Sequence, residues 1–127
     1  MPAGTQTRVL VVEDDPVVAM VVEDTLRDMG FDVLVDLTLV DALSELEVTE
    51  FDVALVDLGL RGEDARPLMR ALQLQGVPFA VMSGGDLSRL TAEFPRVRML
   101  SKPLDMQALA SVVQELLATR DAACGPG

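Results

Sequence analysis

Short apolar runs alternate along the chain with segments of helical period. Val9-Leu10-Val11-Val12, Val53-Ala54-Leu55-Val56 and Phe79-Ala80-Val81-Met82 are apolar throughout, and Val97-Arg98-Met99-Leu100 nearly so. Unbroken runs of this length belong to strands buried on both faces. Phe31 to Asp36 alternates apolar and acidic residues and reads as a further strand. The spacing predicts a helix from Pro16 to about Met29 with a broad stripe of Val17, Val18, Val21, Val22 and Leu26. Asp15 is placed to cap it, Pro16 suits its first position and Gly30 its C′ position. A short helix follows from about Leu39 to Glu47. Another runs from a cap at Asp64 to about Leu74, where Gly76-Val77-Pro78 breaks it. Leu87 to Phe94 has weak helical character and Pro95 stops it. A last helix runs from about Asp105 to Thr119, with Met106, Leu109, Val112, Val113, Leu116 and Leu117 facing inward. Strand then helix, repeated five times, predicts an α/β fold with a parallel sheet and helices on both faces. The domain is expected over 8–119, between a loose lead of 1–7 and a flexible tail of 120–127.

Polar residues stand at the ends of the apolar runs: Glu13 and Asp14, Asp57, Ser83 and Lys102. In a parallel sheet these ends share one edge, the edge where open α/β sheets bind ligands. Three carboxylates in one pocket repel unless a cation binds or a pKa rises. A hard divalent ion with oxygen ligands suits such a site, Mg²⁺ above all. Lys102 adds an ammonium, Ser83 a hydroxyl, and Gly84 and Gly85 leave backbone amides open to an anion. Together these groups form a phosphoryl-transfer constellation in which an Asp attacks phosphorus. Each piece alone has an ordinary role as cap, turn or solvated carboxylate, and for Asp15 the cap is preferred. Their conjunction in this chain order carries the argument.

Composition narrows the field further. The net charge of −11 argues against a nucleic-acid surface and against an anionic membrane, and it fits a cation or a basic partner. With no histidine, Ser-His-Asp catalysis and His-ligated zinc are excluded. The single Cys124 lies in the tail and cannot form an internal disulfide. No signal-peptide pattern and no run of membrane-spanning length is found, so the chain is expected to be cytoplasmic.

From about Arg8 to Thr119 the sequence resembles the receiver domains of two-component response regulators. Val9-Leu10-Val11-Val12-Glu13-Asp14-Asp15-Pro16 is similar to the family's first strand with its acidic pair. Asp52-Val53-Ala54-Leu55-Val56-Asp57-Leu58-Gly59-Leu60 is similar to the phosphoacceptor strand, with Asp57 in the acceptor place. Ser83 matches the family's Ser/Thr, and Lys102-Pro103 its Lys-Pro pair. The resemblance implies a flavodoxin-like (βα)5 fold, doubly wound, with strand order 2-1-3-4-5. It implies that Asp57 takes a phosphoryl group from a kinase phosphohistidine. Asp14, the Asp57 carboxylate and the Gly59 carbonyl would hold Mg²⁺, with Glu13 acting through water. Ser83 and Lys102 would contact the phosphoryl oxygens, and Lys102-Pro103 would carry a cis peptide.

The sequence also departs from the family pattern. Glu13 replaces the commoner Asp, Arg61 stands where many relatives have Pro, and Ala65 where many have Gly. Met99 occupies the place of a Tyr or Phe that swings inward on phosphorylation in many receivers. A reordering of Gly84 to Phe94 is therefore expected to replace an aromatic flip. The partners implied are a sensor histidine kinase or phosphotransfer protein and an unnamed protein target. A homodimer through the fourth predicted helix, the fifth strand and the last helix is a further expectation. The leading expectation is a phosphorylatable switch with no output domain in this chain, not a conventional enzyme. Gly59 stands where an Asp-nucleophile phosphatase would keep its general acid. The alternatives are a protein-binding scaffold, a phosphorelay sink, or a receiver excised from a hybrid kinase.

Overall fold

The computed structural model describes residues 7–59, 64–85, 94 and 97–123, apart from the side chains of 120–123. Arg61, the expected lead before Thr7, most of the expected helix Leu87 to Phe94 with Pro95, and Cys124 with its tail lie outside the described residues. The elements run β1 (Arg8–Val12), α1 (Pro16–Asp28), β2 (Asp32–Asp36), α2 (Leu39–Val48), β3 (Val53–Asp57), α3 (Arg66–Leu74), β4 (Phe79–Ser83), β5 (Arg98–Ser101) and α4 (Met106–Ala123). All five strands are parallel in the order β2-β1-β3-β4-β5. This is the α/β flavodoxin-like sheet expected from the sequence.

Alternation along the strands divides the core into two layers. Leu10, Val12, Ala54, Val56 and Val81 pack with α2 and α3. Val9, Val11, Leu55, Ala80 and Met82 pack with α1 and α4. The central strands β1 and β3 carry helices on both faces, which is why their runs are apolar throughout. Met99 is half-buried against the first of these layers. The six residues assigned to the inward face of the last helix are buried or half-buried.

Local signals set most boundaries. The Asp15 carboxylate accepts the Val17 N–H at 2.9 Å and caps α1, with Pro16 opening the helix. Gly30 has φ +93°, a conformation that favours glycine, and ends it. The width of the α1 stripe is corrected. Ala19, Val22 and Leu26 are buried, but Val17 is 68% and Val21 46% exposed. At 3.6 residues per turn these two lie outside the buried arc. The start of α3 is corrected as well. Ala65 holds the cap position without a side-chain bond, and Asp64 accepts the Arg66 N–H at 3.0 Å instead. Pro67 is readily accommodated in the first turn of a helix that begins at Arg66. The last helix runs four residues past Thr119, to Ala123.

Candidate functional site

Parallel strands deliver their carboxyl ends to one edge. Val12 pairs in register with Val56, Asp57 with Met82, and Ser83 with Ser101. The residue following β1 is Glu13, and the residue following β5 is Lys102. Backbone bonds fix these ends: Leu58 N–H to the Met82 carbonyl at 3.0 Å and Lys102 N–H to the Ser83 carbonyl at 2.9 Å. Between them lies a cavity of about 690 Å³ lined by Glu13, Asp14, Asp57, Ser83 and Lys102 together with Gly59, Gly84 and Gly85. Every site residue proposed from the sequence is therefore brought to one place.

Lys102 grips two carboxylates. Its Nζ lies 2.8 Å from Glu13 Oε1 and 3.2 Å from Asp57 Oδ2. Glu13 is fully buried, and its Oε2 accepts the Asp15 N–H at 3.1 Å. Asp57 is 3% exposed, and its Oδ1 accepts the Gly59 N–H at 2.9 Å. Ser83 Oγ accepts the Gly85 N–H at 3.0 Å, which leaves its own proton available to a second acceptor. The Lys102-Pro103 peptide is cis, as the resemblance implied.

This packing sets the charges. Burial and the facing Asp57 push Glu13 up to about 7, even with Lys102 beside it. Burial also opposes ionisation of Asp57. The hydrogen bonds from Glu13 and the Gly59 N–H, together with Lys102, outweigh it and hold Asp57 below the ordinary carboxylate value. Burial likewise works against the charge of Lys102, but the two carboxylates overcome it and raise its pKa. The pocket thus keeps an ionised carboxylate beside a firmly held ammonium.

Carboxylate oxygens of Glu13, Asp14 and Asp57 all lie within 4.8 Å of one another. An all-oxygen set of this kind fits a hard divalent cation and offers nothing to a soft one. A Cβ at Gly59 would stand 3.5 Å from Asp57 Oδ1, in ordinary contact with the carboxylate.

Sequence reasoning missed two features near this edge. One is the Lys102–Glu13 bond between residues 89 apart in the chain, which no local pattern announces. The other is an apolar hollow of about 220 Å³, bounded by Val17, Val18, Val21, Pro103, Leu104 and Lys102, which adjoins the acidic cavity through Lys102. The only available signal was the excess of valines on α1 over what one buried face can take. No described helix is long and apolar enough to cross a membrane.

Comparison with known proteins agrees with this fold. The chain resembles a CheY-like response regulator receiver domain protein from Methanospirillum hungatei JF-1, with TM-score 0.85 and 22% identity over 94% of this chain and 99% of that one. It resembles the receiver domain of the Francisella response regulator 1452, with TM-score 0.77 and 24% identity over 89% of this chain and 98% of that one. A signal receiver domain of an HD domain-containing protein from Pseudomonas fluorescens Pf-5 gives TM-score 0.85 and 19% identity over 97% and 95% of the two chains. These likenesses establish the fold. No curated protein matches the chain. The family model described as the response regulator receiver domain matches residues 9–114, so the chain belongs to the response regulator receiver domain family.

Proposed function

We propose that Asp57 accepts a phosphoryl group from the phosphohistidine of a histidine kinase or phosphotransfer protein, and that the chain then signals through protein contacts. In this reading residues 8–119 form the receiver unit. The observation that carries it is the environment of Asp57: a buried carboxylate kept ionised, with an ammonium at 3.2 Å and an open cavity before it. One Asp57 oxygen bonds to phosphorus as the phosphorus–nitrogen bond of the donor breaks. The donor imidazole, protonated on its other nitrogen, leaves as the neutral ring. Lys102 offers its ammonium to the phosphoryl oxygens, and Ser83 donates its hydroxyl proton to one of them. The acidic triad is consistent with a receiver Mg²⁺ site. Asp14, Asp57 and the Gly59 carbonyl would hold the ion, with Glu13 acting through water. Bound there, Mg²⁺ would supply positive charge to the phosphoryl oxygens.

The donor's approach is supported on the α1 side. Val17 and Met20 are 68% and 58% exposed, and the apolar hollow shares Lys102 with the acidic cavity. A donor resting on that surface would lie beside the cavity that holds Asp57. The test is intact mass after treatment with acetyl phosphate. The expected result is one added phosphoryl group with Mg²⁺, lost on chelation and lost in Asp57→Ala. No added mass, either from acetyl phosphate or from a phosphorylated histidine donor, would refute the reading.

A further inference from the structure

Helix α2 lies on the opposite face of the sheet from α1 and buries Leu39, Ala42 and Leu46. Its outward side is not simply polar. Val40 is 65% and Val48 81% exposed, and Leu37, 40% exposed, precedes the helix. A single exposed aliphatic residue needs no explanation, but two on one ten-residue helix with a third just before it do. Within the segment that carries them the charge is of one sign. No Lys or Arg occurs between Arg27 and Arg61, a stretch that carries nine carboxylates. Asp41, Glu45 and Glu47 stand on α2 itself. Asp36, at the end of the neighbouring β2, has a buried Oδ2 with no hydrogen-bond partner among the described residues.

We propose that the outward face of α2 is a docking surface for a second protein, engaged by an amphipathic helix of that partner bearing Lys or Arg beside aliphatic side chains. Charge complementarity selects a basic occupant, because the segment supplies no cation of its own. The valines select an apolar ridge between the basic residues, since purely ionic contact would leave them in water. A helix is the fitting shape. Ten residues of α2 offer a straight face of about 15 Å, along which a second helix packs ridge into groove. This surface is separate from the α1 rim, so a phosphodonor and an α2 partner could occupy the chain together.

The proposal is independent of the chemistry at Asp57 and is tested on the full, unphosphorylated chain. The probe is a synthetic amphipathic Leu/Lys peptide, followed by backbone amide shifts, with a scrambled peptide of equal composition as control. Shifts are expected to concentrate in residues 37–50. Val40→Ser with Val48→Ser is expected to weaken the amphipathic peptide about fivefold and to leave the scrambled one unchanged. Asp41→Asn with Glu47→Gln is expected to weaken binding and flatten its salt dependence. Thermal melting verifies that both variants fold, since neither touches the buried side of α2. Shifts spread evenly over the acidic surface, shifts centred on α1, or wild-type affinity in the Val40/Val48 variant would overturn the proposal. So would a dimer of this chain that covers α2 without peptide.

Discussion

Two strands end in an aspartate at the same edge of the sheet, and the two carboxylates meet opposite conditions. Asp57, at the end of β3, has the Gly59 N–H on one oxygen and Lys102 near the other, and is held below the ordinary carboxylate value. Asp36, at the end of β2, has a buried oxygen with no hydrogen-bond partner among the described residues, and its pKa is raised by burial and by Glu45 and Asp41. Position at a strand end is therefore not what keeps a carboxylate ionised. The central strand brings Asp57 within reach of Lys102, which follows β5, and its own turn supplies the Gly59 amide. The edge strand leaves Asp36 among like charges.

The contrast can be broken at either end. The largest effect is expected from the aspartates themselves: Asp57→Ala removes phosphorylation altogether, whereas Asp36→Ala retains it, both read by intact mass. Next comes the cation. Lys102→Ala should slow phosphorylation by acetyl phosphate about a hundredfold, the scale of losing one preorganised charge-stabilising donor. Ser83→Ala, which removes one hydrogen bond to a charged group, should cost about tenfold in the same assay.

The smallest effect concerns stability. A carboxyl whose folded pKa lies above its unfolded value favours folding below the unfolded value and loses that contribution as pH rises through the folded one. For Asp36 the ordinary value is 3.8 and the folded value is higher, so the ionised group disfavours the fold at neutral pH. Asp36→Asn is expected to gain about 1 kcal/mol in urea unfolding at neutral pH, and the gain should vanish below pH 3.8. A gain that persists unchanged in acid would assign the effect to packing instead of charge.

Much of this was legible in the residues. The apolar runs of β1, β3 and β4 identify buried strands, and the polar residues that end them fall together because parallel strands share an edge. Asp15-Pro16 and Gly30 mark the limits of α1 through local hydrogen bonding and backbone conformation. What could not be read depended on tertiary neighbours. Val17 and Val21 fit a helical stripe equally well whether or not a partner element covers them. Asp36 and Asp57 each end a predicted strand, and which groups each carboxylate meets depends on the strand order. The bond from Lys102 to Glu13 joins opposite ends of the chain.

The most direct measurement is to map the phosphoryl bond. Protein phosphorylated by acetyl phosphate is reduced with borohydride, which converts an aspartyl phosphate to homoserine, and its peptides are sequenced by mass spectrometry. Homoserine is expected at position 57 and at no other acidic residue, with Ser83 unmodified. Homoserine at position 14 or 36, or a borohydride-resistant phosphate on Ser83, would contradict it.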